Sequence, residues 1–170
     1  MSIILGYDPV TLREKVDLQA AGERLDEIGG QRNTDALNEK VGLLRLVGRI
    51  DEAWDMANDA LRQARFSGDR EELCLARIRR AQVQHYRGKV DSALIELTSC
   101  VDEARAHDWN PAEALALYER GKVYFDQQEL KLALLDFRTA VTIRVRIGAP
   151  ADDVDSSMVA IAIAESFLEV

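Results

Sequence analysis

Three alanines do most to restrict the architecture. Ala53, Ala93 and Ala133 stand 40 residues apart, and each closes a turn of similar character: Gly48-Arg-Ile-Asp-Glu-Ala53, Gly88-Lys-Val-Asp-Ser-Ala93 and Gln128-Glu-Leu-Lys-Leu-Ala133. A fixed internal period of this length means that one supersecondary unit is repeated and stacked, since a single unit cannot bury its own apolar face. After each alanine, small or apolar residues return at steps of three and four: Ala53, Ala57, Ala60; Ala93, Leu97, Cys100; Ala133, Phe137, Ala140. Such spacing lays them on one stripe of a helix. These helices close near Gly68, Asp108 and Gly148, which repeat the same interval of 40.

A second helix precedes each turn. Asn110-Pro111-x-Glu113 reads as a cap, a first-turn proline and a reciprocal acidic residue, and Asp69-x-x-Glu72 as a similar box. Gly48 and Gly88 suit helix C-termini that need a left-handed residue, a position Gln128 fills less comfortably. The pattern predicts eight antiparallel helices, at 9–28, 33–47, 50–66, 70–87, 90–107, 111–127, 130–147 and 152–168. In the helix at 70–87, Arg77, Arg80 and Gln84 count onto the core side. Either its register is shifted by one, or these long side chains snorkel to water.

The clearest unit reads Leu117-x-x-Arg120-Gly121-x-x-Tyr124, then Ala133-x-x-x-Phe137. This resembles the tetratricopeptide repeat, whose pattern is W-x-x-L-G-x-x-Y, then A-x-x-x-F, then P. Leu117 stands for the Trp, Arg120 for the Leu and Val145 for the Pro, over a resemblance spanning residues 34–170. The usual period of about 34 residues is lengthened here to 40. The resemblance implies an all-α, right-handed α-solenoid of antiparallel helix pairs. Residues 1–33 would form an N-terminal capping helix, 34–73, 74–113 and 114–151 three repeats, and 152–170 a C-terminal capping helix.

It also implies a concave groove lined by the first helix of each pair, in which a peptide or partner helix lies. Counting from Ala133, the candidate groove contacts are Arg45, Leu75, Ile78, His85, Leu115, Tyr118, Lys122 and Phe125. Tyr118 and Phe125 are the candidate aromatic anchors, with burial against the last helices as the alternative. Some family members clamp a terminal carboxylate with Lys, Asn and Arg. Those places here carry Asn38, Gly42, Arg79, Leu115 and Glu119, which disfavours that role despite Arg79.

The expected function is therefore non-catalytic: a protein-interaction module with a protein or peptide partner. The alternative is a homodimer through the C-terminal helix, whose Met158, Ile161, Ile163, Phe167 and Leu168 are a large apolar load. With 22 basic and 30 acidic residues, the net charge of −8 opposes a phosphate backbone, so no nucleic acid is expected. Ile3-Ile4-Leu5 is too short for a signal or span, so no membrane is expected and the reading is cytoplasmic.

No cofactor, metal or catalytic residue is expected. Cys74 and Cys100 form no C-x-x-C pair and read as reduced packing residues, and His85 and His107 sit in no nucleophile motif. Asp152-Asp153-x-Asp155 reads as a helix start, by capping and dipole. Arg77, Arg79, Arg80, Arg87 and Lys89 are the one basic concentration, a solvated face or a dock for an acidic partner.

Overall fold

Residues 2–169 are described by a computed structural model. The order is β1 (Ile4–Tyr7), β2 (Glu14–Val16), α1 (Leu18–Ile28), α2 (Thr34–Leu46), α3 (Ile50–Ser67), α4 (Arg70–Tyr86), α5 (Val90–Ala106), α6 (Asn110–Asp126), α7 (Leu130–Arg146) and α8 (Ala151–Ser166). From α2 onward each helix packs on the next, forming an α-solenoid of antiparallel pairs. The inner helices α2, α4 and α6 also touch one another directly, whereas α3, α5 and α7 have no comparable mutual packing. The closer spacing of α2, α4 and α6 makes theirs the concave side.

The helix ends repeat with the sequence. Gly48, Gly88 and Gln128 have φ of 80°, 79° and 62°, and Gly68, Asp108 and Gly148 have 72°, 56° and 64°. At five of these ends the next N–H reaches back to a carbonyl five residues earlier: Arg49 to Leu44, Lys89 to Gln84, Trp109 to Ala104, Glu129 to Tyr124 and Ala149 to Arg144. Those bonds satisfy carbonyls that would otherwise be orphaned. Gln128 and Asp108 hold the left-handed conformation with a Cβ, at a cost of order 1 kcal/mol each.

Ala53, Ala93 and Ala133 are all fully buried where paired helices cross. At α6/α7 the approach is closer still. A Cβ on Gly121 would lie 2.5 Å from Phe137 Cε1, and Phe137 is itself fully buried. Leucines, valines and alanines of successive pairs fill the rest, in one large cluster across α4–α8 and smaller ones toward the N-terminus.

Three sequence expectations are corrected. The helix expected at 9–28 begins only at Leu18, because residues 4–16 form an antiparallel hairpin. Asp8 dictates the turn: its carboxylate accepts from the N–H groups of Val10 (2.9 Å) and Thr11 (2.8 Å), Pro9 follows, and Leu12 turns back with φ 58°. Asp17 then caps α1 by accepting from the Ala20 N–H. The cap expected at Asn110 is also displaced: Asn110 is the first residue of α6, and Trp109 precedes it without a side-chain cap bond. Pro150 holds that position at α8, so the aspartates there only complement the helix dipole. Asp69 caps α4 as expected, accepting from the Glu72 N–H at 3.0 Å.

The α4 ambiguity resolves in favour of long side chains emerging between helices. Cys74, Ile78 and Ala81 are in the core, while Arg77 reaches α5 and pairs with Glu96 (2.9 Å) and Glu103 (2.7 Å). Arg80 lies over the Trp54 ring. Arg77 and Arg80 of the basic concentration are thus engaged by neighbouring helices.

Gly121→Ala tests the packing. The gain in helix propensity, about 1 kcal/mol, is outweighed because Phe137 has nowhere to move, and a net loss of about 1–3 kcal/mol is expected in urea unfolding.

Candidate functional site

The inner face of α2, α4 and α6 is occupied, near the C-terminal ends of these helices, by the chain's own hairpin. Glu14, on β2, carries the anchoring carboxylate. It accepts from Arg45 (2.9 and 3.3 Å) and from the Tyr86 hydroxyl (2.9 Å), and lies 3.7 Å from Lys122 Nζ. Lys122 also pairs with Glu119 at 2.9 Å. Leu12 is buried beside this cluster, and Arg13 pairs with Asp126 at 2.6 Å.

These groups are charged despite burial because each has a partner. Burial pushes the Glu14 carboxyl up, but Lys122 and Arg45 more than offset this and hold it well below the ordinary carboxylate range. For Lys122, burial acts downward, yet Glu119 and Glu14 raise it above an ordinary amine. Arg45 is raised in the same way by Tyr86 and Glu14 against its burial. Burial and the neighbouring Tyr118 together raise the Tyr7 hydroxyl.

Each candidate groove contact can now be placed. Arg45, His85, Tyr118, Lys122 and Phe125 do face the inner side, but all are buried. Arg45 stacks on Tyr86 at 4.5 Å while pairing with Glu14. His85 Nε2 lies 2.6 Å from Asp126 Oδ2. Tyr118 has Arg144 and Lys122 over its ring, at 4.8 and 5.0 Å, and Phe137 beside it. Phe125 is covered by Phe167, which follows α8, with ring centroids 5.6 Å apart. Tyr118 and Phe125 therefore serve as packing residues, the alternative raised by the sequence. Ile78 is a core residue, fully buried, so its assignment to the groove is corrected. Leu75 and Leu115 remain half-buried at the edge of the core.

What stays open is a cleft of about 600 Å³ beside the hairpin. Residues 2–7 form one wall, α4 and α6 supply Arg79, Gln82, Leu115 and Tyr118, and the start of α8 closes the far side with Asp152, Asp153, Asp155, Ser156 and Val159. Arg144, from α7, is fixed there by the Asp153 carbonyl (2.8 Å) and the Ser157 hydroxyl (2.6 Å). Glu14 and Tyr7 escaped the sequence reading, because the chain from residue 9 was taken as helix and the Glu14 carboxylate could not be brought to Arg45. The legible signal was Asp8-Pro9 between Ile3-Ile4 and Val16, a turn between two β-prone runs.

Removing the Glu14 charge leaves Arg45 and Lys122 sharing one carboxylate. Glu14→Gln should cost about 3–5 kcal/mol in chemical denaturation, the scale for breaking a buried pair. The sign with pH is fixed by the lowered carboxyls of Glu14 and Asp126. Their contribution is complete above the unfolded-state value and is lost as pH falls through the depressed folded one. Stability should therefore drop below about pH 5, and less steeply in Glu14→Gln.

No protein-family model matches the chain, and no curated protein matches it. Among solved structures it is similar to BtubC (BKLC) from P. vanneervenii, at a TM-score of 0.64 and 15% sequence identity, covering 90% of this chain and 67% of that one. At that identity the likeness is one of fold.

Proposed function

We propose that this chain is a non-catalytic protein-interaction module of tetratricopeptide type, docking a partner on the part of its concave side that its own hairpin leaves open. The observation that carries this reading is the cleft of about 600 Å³ on that side, which half-buried Leu115 and exposed Val159 line together with Arg79. Apolar surface next to a few fixed polar groups is the usual composition of a recognition site. The charges elsewhere on the inner face are matched in pairs and would position a partner more than react with it. The C-terminal ends of the inner helices are not the docking surface in this reading, since Leu12 and Glu14 already cover them.

Self-association is supported by a separate observation. Met158, Phe167 and Leu168, at the end of the stack, are 52%, 42% and 46% exposed. A second copy covering that end would bury them. Light scattering with size exclusion separates the two readings: a monomer supports the docking module, whereas a dimer broken by Met158→Glu supports self-association.

For docking, the measurement is affinity capture with the wild type and an Arg79→Glu/Leu115→Asp variant of equal melting temperature. Loss of the captured protein in the variant is expected. Equal recovery would remove the cleft from the reading.

A further inference from the structure

The wall formed by residues 2–7 bounds the cleft on one side, and the start of α8 bounds it on the other. A compact ligand fits between these two walls.

The cleft's polar groups are not all satisfied. Arg45 and Gln82 are only 6% and 2% exposed, yet Arg45 Nε and Gln82 Oε1 have no hydrogen-bond partner. These are one buried donor and one buried acceptor, each costly to leave unmade. Arg79, one helical turn before Gln82 on α4, points its charge into the same space. Arg45, Lys122 and Arg144 each have an anionic or hydroxyl partner. Arg79 has none among the described residues. Burial pulls its guanidinium down from the ordinary value, and Glu119 and Asp153 are near enough to oppose that without pairing with it.

The complement of this set is a single negative charge with an N–H donor beside it. A dianion fits poorly, because Glu14, Glu119, Asp152, Asp153 and Asp155 also line the cleft and, among the described residues, Arg79 is the one lining cation without a partner. Leu115 and Val159 ask for a small apolar side chain.

We infer that the cleft binds a small monocarboxylate bearing an adjacent amide N–H, of the size of an N-acylated amino acid or a dipeptide, with its carboxylate on the Arg79 guanidinium and its N–H on Gln82 Oε1. Such a ligand forms a charge-assisted, two-pronged contact with Arg79, satisfies the orphan acceptor, and is short enough to lie between the two walls. The site is the cleft on which the proposed docking reading rests, and binding of this ligand does not require a protein partner.

N-acetyl-leucine is the probe, titrated into the full chain by calorimetry and by ¹H–¹⁵N correlation spectra. The controls are N-acetylleucinamide, inorganic phosphate and a blocked hexapeptide ending in a free leucine carboxylate. Saturable binding of N-acetyl-leucine is expected, at least about ten-fold tighter than its amide or phosphate, as a charged hydrogen bond implies. Arg79→Gln should weaken it by a similar factor while leaving the melting temperature of the free protein unchanged or higher, because an uncompensated charge is removed. Leu115→Ala should weaken it less. Equal binding of acid and amide, preference for phosphate, tighter binding of the hexapeptide, indifference to Arg79→Gln, or absence of saturable binding would each overturn the assignment. A failure here leaves the partner-capture result untouched, so the two readings fall separately.

Discussion

A carboxylate from the first few residues sits between two cations contributed by helices far along the chain, and much of the concave side follows from that contact. Glu14 meets Arg45 of α2 and Lys122 of α6, and Tyr86 of α4 closes the ring. One side chain thereby ties the three inner helices to the hairpin. Taking so many charges out of water is tolerable only because each has an opposite charge beside it. Arg45 and Lys122 on one side and Glu14 and Glu119 on the other cancel within a single cluster.

The solenoid beneath it depends on a simpler constraint. Small residues at a fixed interval let paired helices approach, and bulky ones fill the space beside them. Ala93 and Ala133 do this at successive crossings, and Gly121 at the tightest one, against Phe137. Left-handed residues at regular spacing then turn the chain back each time, even where the side chain is Gln or Asp. Function enters where this regularity is interrupted, since the hairpin and the start of α8 convert a repeating surface into a bounded cleft.

The helices were legible because their signals are local and repeated. From α2 to α8 the observed ends fall within two residues of the expectation read from periodicity and turns. The first segment was misread because Pro9, Leu12, Val16 and Leu18 can be counted onto a helix, while Asp8-Pro9 and the cap at Asp17 argue for a turn and a later start. Side-chain facing was partly legible: Arg45, His85, Tyr118, Lys122 and Phe125 do lie on the inner side. Burial of Tyr118 and Phe125 was foreseen only as an alternative, and that of Arg45 and Lys122 was not, since Glu14 reaches them from the hairpin, remote in sequence. Ile78 failed for a different reason. Apolar count alone does not say which side of a helix buried on several faces meets the core, and the ion pairs of Arg77 with α5 decided it.

The central claim is that the hairpin is fastened to the inner face through Glu14, and a double-mutant cycle between Glu14 and Arg45 tests it most directly. Chemical denaturation of the wild type, Glu14→Gln, Arg45→Met and the double variant gives the coupling. Contact within one buried network predicts a coupling of about 1–3 kcal/mol. Additivity within about 0.3 kcal/mol would mean that the two residues do not meet, and the hairpin would then lie elsewhere.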